Sequence, residues 1–596
     1  MFDLTTKEFF VSRDVKFIEE VFPFGSPEEV NIPVNEYVDQ NIHEDFSELI
    51  FDEETEVGNL ITEQLAQPEF ATDPPPIQAT PASAGPSPLQ PKSPSDQGNG
   101  FPTSVGPSPS QPISTSGQGD GPFSILEQPK LVSLDPNDDG LPHEPEIQGA
   151  ATFSPKVGVN YGTLGNNLPK PTKSVELIKS LKAGRVKLYS PDPEILTALG
   201  GTNLQVSIMV PNEIISNIST NQKMANDWIK TNLVAYPHTL IRYVLVGNEI
   251  LSFMTEADKK TWHDLVPAMR KIQYALKVNG IRKVKVGTTL AMDVLESSYP
   301  PSNGTFRSDI ADTVMKPMLQ FLSNTKSFLF IDCYPYFAWS QSYKTISLDY
   351  ALFNGGVTYK DPGSGLTYTN LLDQMLDSVH FAMKKLGYPD IRIWIAETGW
   401  PNGGDIDQIG ANVYNAATYN RNLVQKLNAK PSVGTPAMPD AVLPTFVFAL
   451  FNENQKGGPG TERHWGQFYP NGSTVYPIDL TGKTPVSSYP PLPKPDNNEP
   501  YKGKIWCVVA SNANITQLAD AVTYACGQGK GTCAAIQPKG NCYNPNSLVS
   551  HASYAFSSYF SQMKSQGGTC YFNGLAVQTA KDPSSGKCKY PSVTLP

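Results

Sequence analysis

The chain has 596 residues, enough for several domains, and a formal net charge of −11. That average conceals a division: residues 1–150 hold 27 Asp/Glu against 5 Lys/Arg, a net of −22, so the remainder carries +11 with histidine neutral. No Lys/Arg stripe with interleaved aromatics is present, which argues against a nucleic-acid partner, and no run approaches the roughly 20 apolar residues of a membrane span.

In chain order, residues 1–66 are acidic and show no sustained hydrophobic period. The start, Met1 to Glu8, is too charged for a secretory signal peptide. Residues 67–155 are rich in Pro, Ser and Gly, with fifteen prolines between 67 and 131, and are expected to be disordered. Residues 156–482 form the body. Apolar runs at 157–160, 185–189, 204–210, 241–248, 284–290, 327–334, 391–396 and 443–450 read as strands, several of them continuously apolar, as in a covered parallel sheet. Helical stretches fit between them, at 225–233 and at 265–278, where Leu265, Met269, Ile272 and Leu276 recur at three- and four-residue steps. The pattern predicts an α/β protein, a (β/α)8 barrel; the absence of a Gly-x-Gly-x-x-Gly turn disfavours a doubly wound sheet.

Residues 483–503 read as a proline-rich, semi-stiff spacer. A small module follows at 504–588, then a tail at 589–596 without the hydrophobic stretch of a GPI signal. Six of the seven cysteines (Cys507, Cys526, Cys533, Cys542, Cys570, Cys588) lie in this module. An even, dense set reads as a disulfide framework made in an oxidising compartment, and six cysteines allow 15 pairings. No Cys-x-x-Cys pair points to zinc, and no metal is expected. Cys333 stands alone and reads as a buried small hydrophobe. Asn-x-Ser/Thr sequons begin at Asn217, Asn303, Asn471 and Asn514, slight support for secretion.

Two apolar runs end in an acid. The fourth ends Gly-Asn248-Glu249 and the seventh carries Glu397-Thr-Gly-Trp400. A carboxylate beside buried apolar residues is costly without a task or a partner, and barrel chemistry sits at the C-terminal strand ends. Glycosidic hydrolysis with retention needs a proton donor and a nucleophilic carboxylate roughly 5–5.5 Å apart. Glu249 fits the acid/base and Glu397 the nucleophile; a rim salt bridge is the plainer role for either glutamate alone. After the eighth run, Glu453 and Lys456 are expected to pair in support of the site, with Glu462 nearby, although a solvated loop explains them about as well. Tyr161, Tyr189, Tyr334, Tyr336, Phe337, Trp339, Trp400 and Trp465 follow strands, where rings can stack on sugars or fill the core.

Ordered motifs over some 300 residues carry a resemblance: Gly158-Val-Asn-Tyr-Gly162, Asn167-Leu-Pro169, Leu188-Tyr189, Val246-Gly-Asn-Glu249, Tyr334-Pro-Tyr-Phe337, Glu397-Thr-Gly-Trp-Pro401 and Phe451-Asn-Glu-Asn454 with Lys456. With these, residues 156–480 resemble the plant glucan endo-1,3-β-glucosidases of glycoside hydrolase family 17. The resemblance implies a (β/α)8 barrel, a retaining mechanism with no cofactor, and β-1,3-glucan (callose or laminarin) as substrate. It implies Glu249 as acid/base and Glu397 as nucleophile and supports Tyr189, Glu453, Lys456 and Glu462 as site residues; Tyr161, Asn248, Tyr336 and Trp400 are further candidates at the substrate. Two positions depart from the family pattern: Lys187 where arginine often stands, and Asp332 where asparagine often stands.

Residues 505–588 resemble the X8 module (carbohydrate-binding family 43), which implies three disulfides and glucan binding; Tyr543, Tyr554, Phe556, Tyr559 and Phe560 are candidates for a sugar platform or for its core. The first residues, Phe2 to Lys7 and Val11 to Phe17, resemble the connector of Copia-type retrotransposon polyproteins and hold no integrase or polymerase motif. The family and the cysteines imply an extracellular, wall-associated monomer. The readings to be weighed are a secreted endo-glucanase, a catalytically weak callose-binding wall protein, and a β-1,3-glucanosyltransferase.

Overall fold

The computed structural model describes residues 157–596. The acidic, retrotransposon-like and proline-rich segments expected over 1–155 lie outside the described residues. Eight parallel strands close into a barrel: β1 (Val157–Tyr161), β2 (Arg185–Leu188), β3 (Gln205–Val210), β4 (Ile241–Asn248), β5 (Lys285–Ala291), β6 (Leu329–Asp332), β7 (Ile393–Thr398) and β8 (Thr445–Val447). Each pairs with the next in sequence, and β8 closes on β1 through Val157↔Thr445 to Val159↔Val447. The strands are buried along nearly their whole length because helices cover the outside and side chains fill the inside.

The eighth strand is shorter than its apolar run. Phe448 N–H still donates to Thr398 O of β7, but at Ala449 the chain turns to another partner, its N–H donating to Trp465 O. The barrel interior is aromatic. Trp394 stacks between Phe330 and Phe446, with centroids 5.3 and 5.6 Å away, and Tyr243, Phe328, Leu245 and Met209 complete the layer. Rings of this size need missing side chains opposite them: a Cβ on Gly287 would lie 2.4 Å from the Phe330 ring.

The expected stripe of Leu265, Met269, Ile272 and Leu276 lies fully buried on a helix running Glu256–Val278. Thr255 and Asp258 start that helix with a reciprocal capping box. The helix expected over 225–233 is Gln222–Ile229, continued by a wider turn at Lys230–Val234.

The C-terminal module pairs β9 (Gly503–Val509) antiparallel with β10 (Ala576–Thr579) and β11 (Val593–Leu595). Helices Leu518–Gly527 and Leu548–Met563 pack with this sheet. Its six cysteines pair as Cys507–Cys570, Cys526–Cys533 and Cys542–Cys588. Tyr554, Phe556, Tyr559 and Phe560 are buried on the second helix, so they form the module's core and no sugar platform; Tyr543 is half-buried against His551. Cys333 is buried and unpaired. No helix among the described residues is long and apolar enough to cross a membrane.

The proline-rich stretch is strapped to the barrel, in contrast to the expected spacer. Asn497 and Asn498 accept from Asn412 Nδ2 at 2.7 and 2.9 Å, Gly410 N–H donates to Asn497 O at 2.7 Å, and the Arg421 guanidinium lies 4.0 Å over the Tyr489 ring. Side-chain amides thus replace chain stiffness in setting the linker's path.

Candidate active site

Glu397 points inward from β7 and is only 6% exposed. Its Oε1 accepts from Lys187 Nζ at 2.7 Å and from the Tyr189 hydroxyl at 2.5 Å; its Oε2 accepts from the Tyr334 hydroxyl at 2.7 Å. Burial alone would raise its pKa. The Lys187 charge and these three hydrogen bonds outweigh burial and hold the carboxyl below the ordinary glutamate value.

Glu249 follows β4 in the left-handed backbone region, with φ 50° and ψ 33°. Its N–H donates to Thr289 O at 3.0 Å, and its carbonyl accepts from Ser252 N–H at 2.9 Å. Gly247, at φ +76°, prepares the bend; a Cβ there would meet Ile215 at 2.6 Å. Asn248 is fixed on both edges: its N–H donates to Asn212 Oδ1 at 2.8 Å and its Oδ1 accepts from Thr289 Oγ1 at 2.8 Å. Burial raises the Glu249 pKa first and the Glu397 charge raises it further, against Lys187, to about 8. One carboxyl is therefore ionised and the other protonated at neutral pH, while each lies within the other's field.

Beyond β8, Glu453 is 2% exposed and accepts from Leu164 N–H at 2.8 Å. Gly162 permits that approach, since a Cβ there would lie 2.4 Å from the Glu453 carboxylate. Lys456 forms its ion pair with Glu462 at 3.8 Å instead of the expected Glu453, and its ammonium sits 4.2 Å over the Phe448 ring. Burial raises the Glu453 pKa above the ordinary glutamate value, and the Lys456 charge only partly offsets it.

The aromatics divide. Tyr189 and Tyr334 reach Glu397, and Phe337 is exposed at the rim. Tyr161, Tyr336 and Trp400, expected at the substrate, are covered. Trp400 is fully buried, packs on Tyr336 and Trp339 and donates its indole N–H to Gly410 O at 2.8 Å; Tyr336 also packs on Trp465; Tyr161 packs on Phe451. They build the wall behind the cleft because their neighbours leave no ring face open.

Lys187 and Asp332 form a buried network with Glu397 that sequence reasoning did not assemble. Lys187 is fully buried on β2, and its Nζ lies 3.9 Å from Asp332 Oδ1 as well as against Glu397. Asp332, at the end of β6, is 2% exposed, and its carboxyl faces Glu249. Burial, then the Glu397 charge, raises its pKa well above the usual carboxylate range, against the Lys187 charge. The only local signal was a charged residue inside each apolar run.

The barrel carries paired strand-end glutamates with opposite pKa shifts, and the Glycosyl hydrolases family 17 model matches residues 157–480, more than half of the chain. The chain belongs to glycosyl hydrolases family 17. The X8 domain model matches residues 505–577 of the same chain. Among relatives, probable glucan endo-1,3-beta-glucosidase A6 of Arabidopsis thaliana is 56% identical over 441 residues, covering 74% of this chain and 92% of that protein. Glucan endo-1,3-beta-D-glucosidase of Olea europaea is 38% identical over 438 residues, covering 73% and 93%. Among solved structures, CJP38, a beta-1,3-glucanase and allergen of Cryptomeria japonica pollen, superposes with a TM-score of 0.51 at 39% identity, over 55% of this chain and 99% of that one.

Proposed function

We propose that this family 17 enzyme hydrolyses internal β-1,3-glucosidic linkages of β-1,3-glucan with retention of configuration. The observation that carries the reading is the divided titration of Glu397 and Glu249 in one cleft. The Glu397 carboxylate attacks the anomeric carbon as the glycosidic C–O bond breaks, and the Glu249 proton passes to the leaving oxygen. A glucosyl ester on Glu397 results. With Glu397 neutralised in that ester, one charge that raised the Glu249 pKa is gone. Glu249 can then act as base on water, whose oxygen attacks the same carbon, releases Glu397 and returns the proton to Glu249. Asn248, its amide oxygen held by Thr289, is assigned to the sugar hydroxyls through its amide nitrogen, and Tyr189, Glu453, Lys456 and Glu462 are assigned to the glucan's path.

Lys187, one of two supports for the weakly catalytic reading, instead keeps the nucleophile ionised. In the X8 domain the exposed ring is Tyr524, packed on Tyr559 and Phe572 at 5.7 and 6.4 Å, and we assign glucan stacking to it. Three disulfides require an oxidising compartment, and the four sequon asparagines are exposed, in keeping with an extracellular, wall-associated protein.

The test is product profiling of the full chain on linear β-1,3-glucan. Internal cleavage without chain lengthening is expected; products longer than the substrate would make it a transferase. Glu397→Gln should leave no measurable turnover, and Glu249→Gln should lower kcat on the order of 10²- to 10⁴-fold. Near-normal turnover in either variant overturns the assignment.

A further inference from the structure

The loop after β8 that carries Lys456 and Glu462 is poor in fixed backbone: Gly457, Gly458, Pro459 and Gly460 lie between them, with Gly458 at φ +77°. Such a segment does not hold two charged side chains in place unaided. Arg463 gathers it. Its Nη1 donates to Lys456 O at 3.0 Å and to Gly458 O at 3.2 Å, and its guanidinium is stacked 3.9 Å over the ring of Tyr571, a residue of the C-terminal module. The Tyr571 hydroxyl donates to Asn454 O at 2.8 Å on the same loop.

A second contact holds the module there. After β7, Asp407 pairs with Lys564 and accepts from Gln578 Nε2 at 3.1 Å, and Ile406 N–H donates to Gln578 Oε1 at 3.1 Å. Ile406 also packs against the module's core. Asp405 and Gln408 of this segment reach back to the β8 loop, accepting from Gly460 N–H at 2.8 Å and Thr461 N–H at 2.9 Å. The module therefore grips the loop after β7, the strand that carries Glu397, and the loop after β8.

We infer that the X8 module is a working part of the catalytic cleft: through Tyr571 and Arg463 it sets the loop that presents Lys456 and Glu462 to the glucan. Tyr571 is a positioning residue and touches no substrate. The inference rests on the reading of the cleft as a β-1,3-glucanase and deepens it, because a module that only tethers polymer would not alter the handling of a short ligand.

The experiment uses the full chain with a soluble β-1,3-gluco-oligosaccharide too short to span cleft and module. Tyr571→Ala should raise KM on the order of tenfold with kcat changed less, since the displaced groups bind substrate throughout the reaction. Tyr571→Phe keeps the ring under Arg463 and should restore most of the affinity. Asp407→Asn, which weakens the second contact, should raise KM in the same direction and gives an independent arm if Tyr571→Ala fails to fold. Folded variants with wild-type KM on the short substrate, or a loss confined to insoluble polymer, overturn the inference and leave the module a tether. A wild-type chain that cleaves neither substrate overturns the glucanase reading, and this inference with it.

Discussion

A lysine buried beside a carboxylate changes how that carboxylate meets a proton. Lys187 lowers the pKa of both Glu397 and Glu249, although only Glu397 ends below its ordinary value. The wild-type kcat/KM should rise with pH through a Glu397 ionisation below 4.5 and fall through the Glu249 ionisation near 8. Replacing Lys187 by Met removes a charge that favoured ionisation of both acids. Both limbs should move to higher pH, with lower activity at the acidic end; a pH–rate profile with unmoved limbs would contradict the network. Glu249 also links stability to pH. Its folded pKa of about 8 exceeds the ordinary 4.5, so the folded chain holds this proton more tightly. That contribution is complete below 4.5 and is lost as pH rises through about 8. Glu249→Gln does not titrate, so its Tm advantage over wild type should grow across this window and then level off. A gap that calorimetry finds constant with pH would sink the claim. The two glutamates were legible in the sequence because each ends an apolar run. Their opposite titration was not, because it depends on Lys187 and Asp332, which are remote in sequence and meet only when the barrel closes.

Strands and helices were easier to read than their ends. Apolar runs marked all eight strands, and a three–four period over 265–278 marked the helix that spans 256–278. The eighth run outlasted its strand because apolar character persists through Ala449 and Leu450, although the backbone changes partners at Ala449. Burial of Tyr161, Tyr336 and Trp400 was hidden for a related reason: a ring at a strand end looks the same in sequence whether a sugar or another ring covers it. At this scale the barrel interior makes its own prediction. Gly287 faces the Phe330 ring, and adding a methyl group there forces an overpacked layer. Gly287→Ala should destabilise the barrel by about 1–3 kcal/mol, read as a lower denaturation midpoint. An unchanged midpoint would mean that Phe330 has room to move.

Across the whole molecule, covalent staples and packed apolar surface divide the work. Among the described residues every disulfide lies in the C-terminal module, and the barrel's Cys333 is unpaired. Small modules depend on such bonds, each typically worth about 2–4 kcal/mol, whereas the barrel depends on its core. Mild reduction should therefore unfold the module and abolish binding to insoluble glucan while the main thermal transition of the barrel stays in place. A barrel transition that falls along with the module would show that the two share stability as well as contacts. Composition announced the module and its oxidising compartment, but the grip of Tyr571, Lys564 and Gln578 on the barrel was invisible, since each is an ordinary surface residue until its partner is known.

The amide clasp at Asn497 and Asn498 limits reach. A module on a loose tether would sweep a sphere and recruit any strand of wall polymer within it; one pinned beside the groove adds its grip only to chains that can lie across both surfaces at once. A preference for extended, accessible glucan over tightly bundled fibres would then follow in part from two asparagines in a linker that touch no sugar.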